Sequence, residues 1–448
     1  MGKFFGTDGV RGIANKELSC ELAMSIGRAA AYVLTRHNNK KAKIIIGKDT
    51  RVSSDMLQSS IAAGICSVGA DAVLLGTIPT PAVAFLVKKY NADAGIVISA
   101  SHNPVEFNGI KLFNGDGFKL ADEIEDEIEK FILEDKDKIE LKTHGDIGGI
   151  SVSTDAIKDY VENIVSCVDG DLKGMKIAVD CAHGAASKTA HLLFDSLGAD
   201  AYYVGCEPDG RNINDGVGST HLENVRKAVK KIGAQIGIAF DGDADRCLAV
   251  DENGKEIDGD GIIAIFAQSM IEEGRLKRDT AVVTVMTNLG FMDFCKRHEI
   301  KSVRTAVGDR YVLEEMQRGG YNLGGEQSGH VILLDYGSTG DGELTAAVLL
   351  SILKKKGCKA SELAKDFEKY PQVLVNVRTT AEGKAKFKDD EELQGFIEAA
   401  QQELFDVGRV LVRVSGTEPL IRIMIEGKDE RRISEIAQSI ESKIKERI

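Results

Sequence analysis

Short runs of β-branched and apolar residues recur along the chain at 44–46, 95–99, 177–180, 236–240 and 282–285, each ending in glycine or polar residues. Between them apolar residues fall at helical spacing, as in Leu22, Ile26, Ala30 and Val33. Strands alternating with amphipathic helices predict parallel sheets with helices packed on them. In such folds ligands bind beyond the carboxyl ends of the strands, so the residues just after each run hold the chemical interest.

The same pattern marks boundaries. Ile124, Ile128, Phe131 and Ile132 share one face of a charged helix predicted over 122–140, whose acids are expected to form a solvated surface. The polar, glycine-rich stretch 143–153 reads as a linker after it. Turn residues follow a strand at 251–261, and another break falls at Tyr370-Pro371. Beyond that point Val373, Val375 and Val377 alternate as in a half-exposed strand, and a β-α-β-β-α pattern runs to the end. The expected architecture is three α/β domains at 1–150, 151–253 and 254–370, with a smaller C-terminal α+β domain at 371–448. Periodicity alone leaves open whether the first three are related repeats.

Charge then narrows the ligand classes. With 57 basic and 70 acidic side chains the chain carries −13, which disfavours sequence-independent binding to nucleic acid or an anionic membrane. An anionic small molecule would need local clusters of Arg, Lys and backbone N–H. The eight cysteines are scattered without a CxxC pair, which argues against a zinc site and for a reducing compartment. The longest apolar stretch, 344–353, is too short to span a bilayer, and the first residues carry no apolar signal segment. Gly6 stands where a myristoylation motif wants Ser or Thr. A soluble cytoplasmic protein is expected.

Four segments combine chemistry with position. Ala100-Ser101-His102-Asn103-Pro104 follows the strand 95–99 directly, so the Ser101 hydroxyl is expected to face solvent beside an imidazole. It reads either as a nucleophile or phosphorylated residue, or as a plain turn. Asp241, Asp243 and Asp245 follow the strand 236–240 at alternate positions, which turns three carboxylates one way. Converging like charges of this kind suit Mg²⁺. The alternatives are an acidic surface turn and a calcium loop, since Glu252 stands at a twelfth position; against the latter, Arg246 occupies the place where a sharp turn needs glycine. Gly324 to His330 gathers Glu326, Gln327, Ser328 and His330 in one glycine-bounded loop, suited to sugar hydroxyls or simply to a tight turn. Arg413-Val414-Ser415-Gly416-Thr417-Glu418-Pro419 with Arg422 has the composition of a phosphate nest, or of an ordinary strand turn with exposed arginines. The glycine-flanked Arg11 and the nearby Lys111 add further cations.

With Phe5-Gly6-Thr7-Asp8-Gly9-Val10-Arg11-Gly12 at the start, these motifs resemble, in order and over essentially the whole chain, those of the α-D-phosphohexomutase family. The resemblance implies three related α/β domains with mixed sheets and a smaller fourth domain around a central cleft. It implies that Ser101 is a phosphoserine, with Mg²⁺ between its phosphate and Asp241, Asp243 and Asp245. Arg11, His102, Lys111 and Arg246 would flank the phosphoryl group, with Lys111 or His330 as general base. Gly308, Asp309, Arg310, Glu326, Gln327 and Ser328 would hold the sugar, and Arg413, Ser415, Gly416, Thr417 and Arg422 the phosphate that is not reacting. Relatives acting on glucose or mannose phosphates often carry Met where Gln327 stands, so the implied reaction is an isomerisation of glucosamine 6-phosphate to glucosamine 1-phosphate. It would run through a glucosamine 1,6-bisphosphate intermediate, also an activator, and feed UDP-N-acetylglucosamine and cell-wall precursor synthesis. A phosphoglucomutase or phosphomannomutase, a non-catalytic sugar-phosphate-binding relative and a serine phosphatase are the competing readings. Because the intermediate must turn without escaping, a mobile fourth domain is implied. The family further suggests a homodimer and a kinase or bisphosphate that first loads Ser101.

Overall fold

The computed structural model describes residues 4–6, 8–36, 40–405, 407–415 and 419–448. It forms two compact units: the first comprises 1–286 with 300–365, and the second 287–299 with 366–448.

Three mixed sheets lie in the first unit. The seven-stranded sheet runs in the order Phe5–Gly6, Gly9–Ile13, Phe107–Asn114, Ala94–Ile98, Lys43–Lys48, Asp71–Thr77, Ile150–Val152. The five-stranded sheet runs Glu256–Ile257, Cys247–Asp251, Ile236–Phe240, Lys176–Asp180, Asp200–Val204. The four-stranded sheet runs Lys301–Thr305, Thr280–Thr284, Leu323–Gly325, Val331–Leu333. The strands expected at 44–46, 95–99, 177–180, 236–240 and 282–285 are all present within a residue or two.

A single arrangement recurs in all three sheets, which periodicity could not show. A strand lies parallel to one neighbour and then returns antiparallel on its other side: Ala94–Ile98 pairs with Lys43–Lys48 and then Phe107–Asn114. Ile236–Phe240 does so with Lys176–Asp180 and Cys247–Asp251, and Leu323–Gly325 with Thr280–Thr284 and Val331–Leu333. The loops that make these returns contain Ser101, the three aspartates, and Glu326 to His330. Three equivalent turns, at the carboxyl ends of three parallel-paired strands, therefore supply the candidate chemistry.

Each sheet is anchored by its own apolar cluster. In the first, Ile44, Ile46, Ile96 and Ile98 meet the helices Cys20–Thr35 and Val52–Ser67 through Ile26, Leu57 and Ile61. Ser19 caps the first of these helices by accepting from Leu22 N at 3.2 Å. The two helices approach to backbone contact where glycine faces backbone: a Cβ at Gly27 would lie 2.5 Å from Ile61 O, and one at Gly64 would strike Met24 O. Gly64→Ala is expected to cost about 1–3 kcal/mol by overpacking, read as a lowered Tm with kcat unchanged.

Two expectations fail here. The charged helix spans only Asp122–Leu133, and Glu125 and Glu129 are buried rather than solvated. Glu129 accepts from Phe4 N at 2.9 Å and Phe5 N at 3.3 Å, which ties the first strand down. The stretch 143–153 is not a free linker either, because Ile150–Val152 pairs with Asp71–Thr77 as an edge strand.

The second unit carries a three-stranded antiparallel sheet, Gln372–Arg378, Leu420–Gly427, Gly408–Val414, with its own core of Leu393, Ile421, Ile423, Ile433, Ile440 and neighbours. Two helices, Ala381–Asp389 and Glu391–Glu403, fill the place of the single one expected there, because Asp390 caps the second. Among the described residues no helix is long and apolar enough to cross a membrane.

Candidate active site

Ser101 leaves its strand with φ +53°, a left-handed backbone that non-glycine residues adopt at a cost. This turn carries the side chain inward: Ser101 is 1% exposed, contrary to the expected solvent-facing hydroxyl. Its Oγ donates to Asp241 Oδ2 at 2.6 Å and lies 3.4 Å from His102 Nδ1. Two loops 140 residues apart thus meet at one hydrogen bond.

Around that contact Asp241, Asp243 and Asp245 are buried together, with one carboxylate oxygen of each within 4.8 Å of the others. Among the described residues this is the only His, Cys, Asp and Glu set so arranged. A hairpin between two strands carries it, and Glu252 accepts from Ser361 N at 3.1 Å, so the helix-flanked geometry of a calcium loop is absent from this segment.

Lys111, buried on the neighbouring strand Phe107–Asn114, sends its ammonium to Asp243 Oδ2 at 2.9 Å, Asp8 Oδ2 at 3.2 Å and Asp245 Oδ2 at 3.4 Å. Thr80 Oγ1 donates to Asp243 Oδ2 at 2.6 Å, and Arg246 N to Asp241 Oδ1 at 3.2 Å. Burial pushes the Asp245 carboxyl up, but Lys111, His330 and Arg246 outweigh it and hold Asp245 well below the usual range. Asp241 goes the other way: burial, then the charges of Asp245 and Asp243, push it well up. Lys111 and the Arg246 guanidinium, 3.8 Å from Asp245 Oδ1, set two positive charges against three carboxylates.

Asp243 Oδ1 and Asp245 Oδ1 are buried and accept no hydrogen bond. Unpartnered hard oxygens in an over-negative pocket are the donor set of a small divalent cation such as Mg²⁺, and the residues fit one.

The third returning loop comes to the same place. His330 is 3% exposed, with Nδ1 3.7 Å from Asp245 Oδ2 and Nε2 3.5 Å from Asp309 Oδ2. Gly340 N donates to His330 Nε2 at 3.1 Å, which favours the tautomer with its proton on Nδ1, towards Asp245. Glu326 Oε1 accepts from Gly308 N at 3.0 Å, so these two predicted sugar-binding positions do adjoin. Gln327 instead donates to Asp258 Oδ2 at 3.2 Å, the aspartate that caps helix Gly259–Glu272. Arg310 does not join the cluster: its guanidinium pairs with Asp122, with Glu125 Oε2 at 3.6 Å and with Glu314 Oε1 at 3.1 Å. It lines a cavity of about 330 Å³ with Phe5, Glu125 and Tyr311, to which Gly308 and Asp309 also contribute.

Burial, and then the charges of Arg246 and Arg11, lower the His102 imidazole to about 4, so it is neutral at neutral pH. Arg11 pairs with Asp8, and Lys119 bridges Asp8 Oδ1 and Asp309 Oδ2, both at 2.5 Å. Lys119 and Thr80 were not singled out from the sequence, where each is an unremarkable polar residue.

In the second unit Arg413 and Arg422 stand directly opposite on adjacent antiparallel strands. Burial first, and then Arg422, lower the Arg413 guanidinium. Like charges so placed repel, and an anion between them relieves the repulsion. Ser415 follows Arg413 closely and is buried; Gly416 and Thr417 lie outside the described residues.

Four family models match the chain in order: phosphoglucomutase/phosphomannomutase alpha/beta/alpha domain I over residues 2–138, domain II over 158–254, domain III over 258–370, and the C-terminal domain over 374–443. The chain is 53% identical over 450 residues to the phosphoglucosamine mutase of Thermoanaerobacter sp. (strain X514), covering all of both chains. It is 52% identical over 448 residues to that of Acetivibrio thermocellus, covering 99% of this chain and all of the relative. Among solved structures, a phosphoglucomutase/phosphomannomutase family protein from Burkholderia thailandensis superposes with TM-score 0.82 at 25% identity, covering 98% of this chain and 96% of that one. An Aspergillus fumigatus N-acetylphosphoglucosamine mutase, solved with GlcNAc-6P and magnesium, shares the fold with TM-score 0.69 at 18% identity, covering 98% and 95%.

Proposed function

The chain belongs to the phosphoglucomutase/phosphomannomutase family, and on that premise we propose that it is a phosphoglucosamine mutase, an isomerase interconverting glucosamine 6-phosphate and glucosamine 1-phosphate. The observation that carries this reading is the Ser101 hydroxyl held 2.6 Å from Asp241 inside a buried aspartate cluster. A phosphorylated Ser101 and the aspartate cluster are both anionic, so both call for the same cation.

Phosphorylated Ser101 donates its phosphoryl group to the 1-hydroxyl of glucosamine 6-phosphate. The P–O bond to serine breaks, the bond to O1 forms, and the hydroxyl proton leaves to a base. The resulting glucosamine 1,6-bisphosphate turns over in the site and returns its 6-phosphoryl group to Ser101. Asp241, Asp243 and Asp245, with the Ser101 phosphate, would hold Mg²⁺, which would supply Lewis-acid neutralisation of the transferring group. Lys111, already engaged with Asp243 and Asp245, acts as a fixed positive charge, and Arg246 and Arg11 bound the site as further cations. Neutral His102 and the His330 ring, with its Nδ1 proton towards Asp245, are the groups placed to relay protons. Glu326, fixed by Gly308, is the carboxylate offered to a sugar hydroxyl or ammonium, and Arg413 with Arg422 forms the anion pair for the idle phosphate. Such an enzyme would act in the cytoplasm, supplying precursors of UDP-N-acetylglucosamine.

The test compares kcat/KM for glucosamine 6-phosphate with that for glucose 6-phosphate and mannose 6-phosphate. One charge-assisted contact to the ammonium, worth about 1.5–3 kcal/mol, gives roughly 10- to 100-fold preference for the amino sugar. Equal or better turnover of a plain hexose phosphate refutes the substrate assignment. Inorganic phosphate appearing as fast as substrate disappears identifies a phosphatase instead.

A further inference from the structure

The left-handed backbone of Ser101 requires an explanation. Glycine would take φ +53° freely, but glycine has no hydroxyl, so a residue that must carry phosphate bears backbone strain there. Strain of this kind persists only where the surroundings impose it.

Ser99 Oγ accepts from Ser101 N at 3.0 Å, and two further side chains, one from each of two sheets' loops, hold the carbonyls of the turn. Arg51 Nη2 donates to Ser101 O at 3.2 Å and to Asn103 O at 2.6 Å. Asn214 Nδ2 donates to the same two carbonyls, at 2.9 Å and 3.0 Å. Two carbonyl groups of one turn thus share four donor contacts, which fixes the peptide planes on both sides of the turn. Arg51 is itself held rigidly: it is 1% exposed, ion-paired with Asp49, and its backbone N donates to Asp49 Oδ1 at 2.9 Å. Ser54 Oγ donates to that same Asp49 oxygen at 2.8 Å. Asp49 neutralises the guanidinium, so Arg51 serves geometry rather than as a counter-charge to phosphate. The aspartate loop rests on the same point, because a Cβ at Gly242 would lie 2.6 Å from Ser101 O and 2.9 Å from Asn214 Nδ2.

We propose that Arg51 and Asn214 are positioning residues, a two-sided clamp on the Ser101 and Asn103 carbonyls that holds the carrier serine in its left-handed conformation and so aims its Oγ at the aspartate cluster. This rests on Ser101 being the phosphoryl carrier. Because Asn214 lies in the loop after strand Asp200–Val204 of the second sheet while Ser101 follows strand Ala94–Ile98 of the first, docking of the two sheets also sets the serine's aim.

The decisive variant is Asn214→Asp, which keeps the shape but faces two carbonyls with acceptors. Misplacing a reacting atom by about 1 Å costs on the order of 10²-fold, so kcat is expected to fall about 10- to 100-fold. KM for glucosamine 6-phosphate should stay within about twofold, since substrate contacts remain. Arg51→Lys, which retains the charge beside Asp49 but not the fork, should move kcat in the same direction, and Asn214→Ala serves if the aspartate variant fails to fold. A wild-type kcat in folded Asn214 variants overturns the clamp, as does a rise in KM without loss of kcat. Failure of the mutase reading would look different: wild-type protein would isomerise no hexose phosphate. The clamp is then still judged by intact mass, from the rate at which Ser101 takes up phosphate from glucosamine 1,6-bisphosphate in wild type and variant.

Discussion

Ser101→Ala is expected to remove all mutase turnover, a loss on the order of 10⁴-fold or more to background, because it removes the hydroxyl that carries the phosphoryl group. Stability should respond quite differently. The hydroxyl gives one hydrogen bond to Asp241, worth about 1 kcal/mol net, and alanine at φ +53° bears the same backbone strain as serine. Ser101→Gly sharpens the contrast. It loses that hydrogen bond but relieves about 1–2 kcal/mol of strain, so it should melt at or above the wild-type temperature while being equally dead. Mutase rates, intact mass of the 101 peptide and thermal unfolding of the three proteins check this together. Appreciable turnover in either variant removes Ser101 from the mechanism. A Tm collapse in the glycine variant shows that the serine is there for structure. The outcome expected is a residue whose conformation costs stability in exchange for function.

Much of this site could be read from the residues before any coordinates. The returning loops follow strands whose β-branched runs are plain in the sequence, and the alternate spacing of Asp241, Asp243 and Asp245 marks a candidate cation site, which the structure brings together. The recurrence of one strand arrangement in three sheets was not legible, since it lives in pairing direction rather than residue type. Nor were the partners that act across long separations. Arg51 and Asn214 stand 50 and 113 residues from Ser101, and a buried Arg and a loop Asn carry no local signal of what they will meet. Glu125 and Glu129 misled for a related reason. Amphipathic periodicity assigns acids to the wet face, but the peptide groups of Phe4 and Phe5 and the guanidinium of Arg310 satisfy these two from beyond the helix. The Ser101 side chain was expected outside because it stands in a turn directly after a strand; a positive φ, invisible in composition, turns it in.

Asp243→Asn should separate cation binding from folding. Asp243 shares Lys111 with Asp245 and Asp8, accepts from Thr80 at 2.6 Å, and leaves Oδ1 buried without a hydrogen-bond donor. An asparagine keeps the Thr80 contact through its carbonyl oxygen and removes one of three crowded negative charges, so the apo variant should unfold no earlier than apo wild type. Mg²⁺ changes that order. A cation binding only the folded state stabilises wild type by about 2.7 kcal/mol at 100 times its Kd, and the variant, with a weaker hard-oxygen set, should lose most of that gain. Turnover falls as well: weakening charge neutralisation of the transferring group by about 3 kcal/mol lowers kcat on the order of 10²-fold. Thermal unfolding across a Mg²⁺ titration reads the first effect without reference to activity, and saturating-substrate kinetics reads the second. An unchanged Mg²⁺ shift in Asp243→Asn would place the cation elsewhere, whatever the kinetics showed. A lost shift with unaltered kcat would leave the cation bound by these aspartates but idle in catalysis, with Lys111, Arg246 and Arg11 neutralising the phosphoryl group instead.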